Sequence, residues 1–269
     1  MKKTLIRLLY LMTSNQASQK WLLKLDKLIS KLRGIGSGAF PESSGEKEAI
    51  KFVIENYQKS DYPLTIFDVG ANKGQFLQEI LDVNQGNDFK VYCFEPQRES
   101  FNLLASAFND LDFVKFENIG FDNEKSKSKL FYDKPGSIFS SKYNRDVSRL
   151  SIEFTESEIV EYNTIDEYCK DENISKIDYL KIDVEGNELN VLKGAAQMLA
   201  DQRIKFISFE FGSTQIDSRT FFKDIYEYLQ SHHIVRLYRL TPGGYMVPIE
   251  AYDEDLETFF TANYLAVMK

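Results

Sequence analysis

The feature that most constrains this chain is a strand that runs directly into a glycine turn and then into a helix. Residues 64–69 form a short apolar run that is typical of a buried strand. The pattern Asp68-x-Gly70-x-x-x-Gly74 overlaps its end, and apolar spacing predicts a helix over about 74–85. Glycines let the backbone turn tightly and let a ligand approach it, and the following helix offers unpaired N–H groups. In a parallel α/β sheet, ligands bind at such a turn.

The glycine turn alone leaves two interpretations open, a ligand site and a simple chain reversal. Its spacing differs from the dinucleotide motif G-x-G-x-x-G, which favours a nucleoside site over a pyrophosphate cradle. A second apolar run at 89–94 ends at Glu95, twenty-one residues beyond Gly74. An acid at the end of the second strand can accept hydrogen bonds from both hydroxyls of a ribose. Taken with Glu95, the turn therefore predicts a site for a cofactor that contains a nucleoside.

Strands and helices alternate along the rest of the chain. Further strands are predicted at 112–117, 178–183, 204–211, 234–240 and 264–268, and further helices at 45–59, 97–109, 187–200 and 218–231. This alternation predicts an α/β fold, in which helices cover both faces of a doubly wound, mostly parallel sheet. Residues 120–160 are polar and break the alternation, so we expect an antiparallel hairpin or a lid there.

The N-terminal residues follow a different pattern. Residues 1–60 are predicted to form a helical appendage and linker, outside a cofactor-binding domain at 61–269. Apolar residues recur at helical spacing between lysines over 4–33, which indicates one or two amphipathic helices. A glycine-rich stretch at 34–41 ends them. Three uses remain open: packing on the domain, a homodimer contact, and peripheral membrane contact through residues 1–33.

Charge and cysteine content narrow the partners. The chain has 33 Lys and Arg against 41 Asp and Glu, a net charge of −8, which argues against a nucleic-acid footprint. We therefore expect a small-molecule or glycan partner. Cys93 and Cys169 lie far apart and form no CxxC pair, so a reducing cytoplasm is the expected location, with or without membrane association.

Three stretches resemble the FkbM family of class I S-adenosylmethionine-dependent methyltransferases. They are residues 67–74 (FDVGANKG), 91–96 (VYCFEP) and 180–195, where K-I-D-V-E-G-x-E runs on to L-K-G-A. The resemblance covers about residues 64–211. It implies a Rossmann-like sheet of seven strands with one antiparallel strand near the C-terminus. It also implies methyl transfer from S-adenosylmethionine to a hydroxyl oxygen, typically of a sugar, glycan, polyketide or other secondary metabolite.

The same resemblance assigns cofactor-binding residues by position. They are Asp68, Gly70, Ala71, Asn72, Gly74, Phe76, Glu95, Pro96, Asn118 and Asp183. In this set the turn residues hold the amino-acid end of the cofactor, Glu95 holds the ribose, and Asn118 lies near the adenine. Ile119 and Gly120 differ from the small apolar residues usual after that position, which leaves the adenine contacts less defined.

Acidic residues follow two further predicted strands. Asp183, Glu185 and Glu188 come after one, and Glu210 closes the next. Because parallel strands open on the same edge of a sheet, we expect these acids to converge on the cleft. An alcohol is a poor nucleophile whose proton must be removed, so we assign Asp183 and Glu210 as catalytic, with Asp183 the base by resemblance. Two alternatives stay open: Mg²⁺ bound by Asp183, Glu185 and Glu210, and stabilisation of the next helix by Glu185 and Glu188.

Residues of the irregular segment are candidates for binding the acceptor. Tyr143, Arg145 and Arg149 can grip a phosphate or carboxylate. His232 and His233, the only histidines, are expected at the opposite end of the sheet. The sequence thus predicts an O-methyltransferase, and the alternatives are an N- or C-methyltransferase and a catalytically silent nucleoside-binding module.

Overall fold

A computed structural model describes residues 2–38, 41–57, 63–84, 86–148 and 151–269 of the chain. Its centre is an eight-stranded sheet whose strands follow the spatial order β10-β9-β11-β8-β7-β1-β2-β3. The strands are β1 Leu64–Val69, β2 Phe89–Phe94, β3 Val114–Glu117, β7 Ile177–Ile182, β8 Ile204–Phe211, β9 Ile234–Leu240, β10 Met246–Ile249 and β11 Ala262–Met268. The reversal of order at β1 places the carboxyl ends of β1 and β7 side by side. The predicted doubly wound α/β fold is confirmed.

Seven of these strands match the expected sheet, and β10 is an addition. Strand β11 is antiparallel to both of its neighbours, as expected near the C-terminus. Strand β10 pairs antiparallel with β9 after a tight turn in which Gly244 N–H donates to the Thr241 carbonyl. Pro248 interrupts its short apolar run, and a proline is tolerated in a strand at a sheet edge. The sequence pattern is therefore too weak to predict this strand.

Helices cover both faces of the sheet and divide the core in two. The helices of the domain are α3 Pro41–Ser44, α4 Glu46–Asn56, α5 Gln75–Val83, α6 Arg98–Ala107, α7 Ile165–Asp171, α8 Glu188–Lys193, α9 Ala196–Ala200, α10 Thr214–Ser218 and α11 Phe222–Ser231; Glu254–Leu256 forms a 3₁₀ turn. One apolar cluster packs α4 and α5 against the sheet, and the other packs α7, α8, α9 and α11. Strands β1, β2, β7 and β8 are mostly buried, as expected for parallel strands covered on both faces, which explains their nearly continuous apolar sequences.

The helix predicted at 187–200 is in fact two short helices, α8 and α9. The Gly194 carbonyl accepts a hydrogen bond from Asp166 N–H. The Asp166 carboxylate in turn accepts from the N–H groups of Gln197 and Met198, in the first turn of α9. These contacts from α7 end one helix and begin the next, and a periodic apolar pattern does not record them.

The segment 120–160 contains the expected antiparallel hairpin. Strands β5 Ser126–Tyr132 and β6 Glu156–Asn163 pair antiparallel, and β4 Gly120–Phe121 adds to β6 in parallel. Buried Leu130, Val160 and Tyr162 form a small apolar cluster of their own. The segment therefore contains a second, smaller sheet, and the residues between β5 and β6 that the structure describes, 133–148 and 151–155, form no strand of it.

The N-terminal region begins with two helices, α1 Lys2–Thr13 and α2 Gln16–Leu32. Helix α4 also falls within the expected appendage at 1–60, yet Ala49, Ile50 and Val53 are buried in the domain core. The packed core thus begins before residue 60. In the part of the chain that the structure describes, no helix is long and apolar enough to cross a membrane.

Candidate active site

A cavity of about 760 Å³ opens at the carboxyl edge of the parallel strands, a volume within the usual range for ligand sites. Its wall includes most of the predicted residues, namely Gly70, Ala71, Asn72, Phe76, Glu95, Pro96, Asp183, Glu185 and Glu210. Asp68, Gly74 and Asn118 are not part of that wall. The structure therefore brings the glycine turn to one site with Glu95 and with the acids Asp183, Glu185 and Glu210.

The glycine turn is shaped by its contact with the end of β7. Gly70 has a positive φ of 87°, and a Cβ at this position would overlap the Asp183 carbonyl. The Asp183 N–H donates to the Val69 carbonyl at 2.9 Å. Only glycine permits this approach, since it combines the left-handed conformation with the absence of a side chain. The turn thereby fixes Asp183 beside the predicted cofactor residues.

Glu95 is buried at the end of β2 and is held by two backbone groups. Its Oε2 accepts from Asn72 N–H at 2.9 Å, and its Oε1 accepts from Gln97 N–H at 2.8 Å. Burial raises the pKa of Glu95 to about 7, although the hydrogen bonds from Gln97 and Asn72 lower it. A carboxylate can accept about four hydrogen bonds, so Glu95 keeps capacity for further donors in the cavity.

Two predicted cofactor residues, Gly74 and Asn118, support the turns around the cavity. Gly74, with a φ of 90°, begins α5, and a side chain there would collide with the ring of Phe108. The Asn118 amide donates to the carbonyls of Glu95 at 2.9 Å and Pro96 at 3.0 Å. Both residues therefore hold the turns around the cavity in place, and the direct cofactor contacts expected for them stay predictions.

Asp68 lies behind the cavity wall, beside a lysine that sequence reasoning did not single out. Lys181 is buried on β7, and its Nζ lies 3.2 Å from Asp183 Oδ2 and 3.8 Å from both Asp68 Oδ1 and Glu46 Oε1. Burial raises the pKa of Asp68 to about 6, opposed by the charge of Lys181. Asp68 thus balances the charge of Lys181, and its predicted role at the cofactor ammonium stays a prediction.

Glu46 and Glu79 add acidic groups at the same end of the cavity, and neither was predicted from the sequence. Glu46 begins α4, and Glu79 lies on α5. Burial raises the pKa of Glu79 to about 7, and its Oε2 has no hydrogen-bond partner among the described residues. Two signals in the sequence were available. Glu79 is an acid on an otherwise apolar helix face, and Lys181 is a lysine near the end of an apolar strand.

Two of the three proposed magnesium ligands, Asp183 and Glu185, are already engaged with cations. Arg145 pairs with Glu185, and its Nε lies 3.5 Å from Asp217 Oδ2. Asp183 pairs with Lys181. Within the described ranges, no three His, Cys, Asp or Glu side chains converge so that they could hold a metal ion. The donor set of Asp183, Glu185 and Glu210 therefore does not fit a Mg²⁺ site.

Glu210 and Glu188 differ although both are acidic and close to Asp183. Burial raises the pKa of Glu210 well above its usual range, and the charges of Asp183 and Glu185 raise it further. Glu188 does not line the cavity. Its Oε1 accepts from the N–H groups of Val184 and Gly186, at 3.2 and 3.1 Å. Glu188 thus stabilises the turn before α8, in line with the alternative that it supports the following helix. Glu210, in contrast, lines the cavity.

The segment after β5 supplies a wall of the cavity. Its lining side chains, next to Leu130 of β5, are Ile138, Phe139, Ser140, Lys142, Arg145, Asp146 and Val147. Arg145 lines the cavity as expected, but its charge is balanced by Glu185 and Asp217. The Tyr143 hydroxyl lies 3.3 Å from Asn187 Oδ1, outside the cavity wall, and Arg149 falls outside the described residues. The apolar lining residues were missed because a polar, aperiodic segment carries no signal for a pocket wall.

The histidines are remote from the site. They follow α11 and precede β9, at the amino end of that strand. The His232 ring Nδ1 lies 2.8 Å from the Tyr228 carbonyl. This agrees with the expected position at the opposite end of the sheet.

A family model described as "Methyltransferase FkbM domain" matches residues 68–235, more than half of the chain. This chain belongs to the FkbM methyltransferase family. The match contains the glycine turn, Glu95, Lys181, Asp183 and Glu210.

Characterised relatives of this FkbM methyltransferase share low identity with it. The hexuronic acid methyltransferase AglP of Haloferax volcanii is 24% identical over 210 residues, covering 72% of this chain and 74% of the relative. The 2-O-methyltransferase NoeI of Sinorhizobium fredii is 22% identical over 161 residues, covering 56% and 64%. A solved FkbM methyltransferase from Methylobacillus flagellatus aligns at 18% identity and a TM-score of 0.47, over 81% of this chain. The chain spans about half the length, 47%, of that structure.

Proposed function

We propose that this protein transfers a methyl group from S-adenosylmethionine to a hydroxyl of a sugar or glycan. The observation that carries the proposal is one continuous cavity that joins the Gly70 turn and Glu95 to Asp183 and Glu210. The names of two relatives support this proposal, since a hexuronic acid methyltransferase acts on a sugar acid and a 2-O-methyltransferase transfers to oxygen.

The residues at the Gly70 end fit a nucleoside cofactor. Glu95 lines the cavity and retains free acceptor capacity for ribose hydroxyls. Asn72 Oδ1 is buried without a hydrogen-bond partner among the described residues, on a side chain that lines the cavity. An unpaired buried acceptor is costly, so Asn72 is suited to a donor on the ligand. Leu130, Phe139 and Val147 provide an apolar wall suited to an adenine ring.

S-adenosylmethionine, when bound, supplies an electrophilic methyl group on a positively charged sulfur. What this chain adds is alignment of the acceptor and removal of its proton. Asp183 lines the cavity and its Oδ2 is held by Lys181 at 3.2 Å, which fixes the orientation of the carboxylate. We assign Asp183 as the base that accepts the hydroxyl proton.

Glu210 has a different role in this proposal. Burial and the neighbouring acids raise the pKa of Glu210 well above the usual range, which favours its protonated form. A protonated carboxyl can donate a hydrogen bond. We assign Glu210 to positioning of the acceptor through a hydrogen bond to one of its oxygens.

The charge of the cavity wall suggests which acceptors bind best. Eight acidic side chains line it against three basic ones, and Arg145 and Lys181 are each paired with carboxylates. An acceptor with a free carboxylate or phosphate would face a wall of net negative charge. Neither Arg145 nor Lys181 would offer it an unpaired positive charge. We therefore propose that neutral or amino-bearing sugars are accepted in preference to acidic ones.

Transfer of a labelled methyl group from S-adenosylmethionine tests the proposal. Matched acceptors are a neutral hexoside, the corresponding amino sugar and the corresponding uronic acid, with product ethers located by mass spectrometry. The proposal expects O-methyl products with the first two. Labelled nitrogen or carbon on the acceptor would establish an N- or C-methyltransferase instead. Cofactor binding without transfer to any hydroxyl across a broad sugar panel would favour a silent nucleoside-binding module.

A further inference from the structure

The helices α1 and α2 present apolar side chains to solvent. Helix α2 has no buried residue, and Trp21, Leu28 and Leu32 are 62%, 56% and 70% exposed. On α1, the exposed apolar side chains include Leu9, Leu11 and Met12. Exposed large apolar residues grouped on one element indicate a surface that contacts something else.

The apolar residues of α2 lie on one face. Trp21, Leu25, Leu28 and Leu32 are separated by four, three and four residues, which aligns them along a helix of 3.6 residues per turn. We call this set the apolar stripe. Leu23 lies on the opposite face, about 160–180° around the helix from the middle of the stripe, and is also exposed, at 54%.

A row of lysines accompanies the apolar stripe. Lys20, Lys24, Lys27 and Lys31 each precede a stripe residue by one position, so they form a parallel row about 100° around the helix. We call this set the lysine row. No ion pair between a lysine of this row and another described residue is present. Lysines beside an apolar stripe are typical of helices that lie in a membrane interface.

Charge is strongly divided between these helices and the rest of the chain. Residues 1–33 contain eight lysines and arginines against one acid, Asp26, a net charge of +7. The remaining 236 residues carry 25 basic and 40 acidic side chains, a net charge of −15. Such a division suits an anionic surface that attracts the helices and repels the domain. It disfavours association of the helices with the same helices of a second copy.

The residues that attach the helices to the domain reach the cavity wall. Arg239 Nε donates to the Arg33 carbonyl at 3.0 Å, just after α2, and Gly36 N–H donates to the Thr261 carbonyl at 2.8 Å. Gly38 and Thr261 both line the cavity. A surface that binds α2 would therefore be separated from the active site by only a few residues of the chain.

We propose that α1 and α2 bind an anionic lipid bilayer. The apolar stripe inserts among the acyl chains at the interface, and the lysine row contacts the lipid phosphates. The residues involved lie outside the active site, so this binding is separable from methyl transfer.

Trp21 provides the test, since it is the only tryptophan in the chain. The full chain is titrated with phosphatidylcholine vesicles, with and without phosphatidylglycerol, and tryptophan emission is recorded with flotation of the vesicles. We expect a blue shift and co-flotation with the anionic vesicles, binding at least about tenfold tighter than to neutral ones, and weakening at high salt. Equal binding to neutral vesicles, or none to anionic ones, would overturn the proposal.

Leu28→Asp and Leu23→Asp form a matched pair on opposite faces of α2. Both leucines are more than half exposed, so neither change removes a buried contact. Leu28→Asp is expected to weaken binding to anionic vesicles at least about tenfold, and Leu23→Asp by less than about twofold. Equal losses would contradict insertion of the apolar stripe. A Trp21 blue shift that grows with protein concentration in the absence of vesicles would assign the surface to a second copy of the chain instead.

Discussion

The two ends of the cavity stabilise their carboxylates in different ways. Glu95, at the cofactor end, accepts from two backbone N–H groups. Asp183, at the reaction end, is held by the buried ammonium of Lys181, which also serves Asp68 and Glu46. The first arrangement depends on the path of the backbone and leaves Glu95 largely independent of other side chains. The second is a shared charge network, in which removal of one member changes the others.

The largest effect is expected from Asp183→Asn. The amide cannot accept the acceptor's proton, so kcat should fall by roughly 10²- to 10⁴-fold. Affinity for S-adenosylhomocysteine should change by less than about threefold, because Glu95 and the glycine turn are untouched. Normal turnover in this variant would remove Asp183 from the chemistry, and lost affinity with normal kcat would move it to the cofactor end.

Lys181→Met tests the shared network through stability. Removing the cation leaves Glu46, Asp68 and Asp183 uncompensated, and the free energy of unfolding should fall by about 3–5 kcal/mol at neutral pH, measured in urea. Lys176→Met is the matched control. Lys176 also pairs with an acid two residues later, Asp178, at 3.0 Å, but is 39% exposed, and about 1 kcal/mol or less is expected. Equal losses from the two variants would contradict the network.

Glu79→Gln should stabilise the protein, and more so at higher pH. Its pKa is raised by burial to about 7, so the folded state binds the proton more tightly than the unfolded state. Stability is therefore lost as pH rises from about 4.5 to about 7. The substitution should add about 1–3 kcal/mol at pH 8 and much less at pH 5. Glu55→Gln, at an exposed position of α4, should show no such dependence; a matching dependence there would contradict burial as the cause.

A smaller effect is expected from the pH dependence of cofactor binding. Burial raises the pKa of Glu95 to about 7, and hydrogen bonds from ribose hydroxyls favour its ionised form. Affinity for the cofactor should therefore fall about tenfold between pH 8 and pH 6. Glu95→Gln should remove this dependence. A wild-type affinity that does not change over this range would show that the cofactor does not contact the Glu95 carboxylate.

Much of the fold was predictable because its signals are local. The run Leu64–Val69, the glycine turn and Glu95 each follow from periodicity or turn chemistry, and parallel strands bring their ends together. The role of Lys181 was not predictable in this way, since it depends on three acids from α4, β1 and the end of β7. The position of Asp68 behind the cavity wall was not predictable for the same reason: a position in the chain does not show which side of a wall a carboxylate faces.

The central claim is most directly tested by calorimetry of S-adenosylhomocysteine with the wild type, Glu95→Ala and Glu117→Ala. Glu117 ends the neighbouring strand β3 but contacts Lys115 and Tyr168 and does not line the cavity. We predict one binding site per chain, weakened at least about tenfold by Glu95→Ala, as expected for losing a hydrogen-bonded charged group, and unchanged by Glu117→Ala. Absence of binding to the wild type, or equal effects of the two substitutions, would contradict the account.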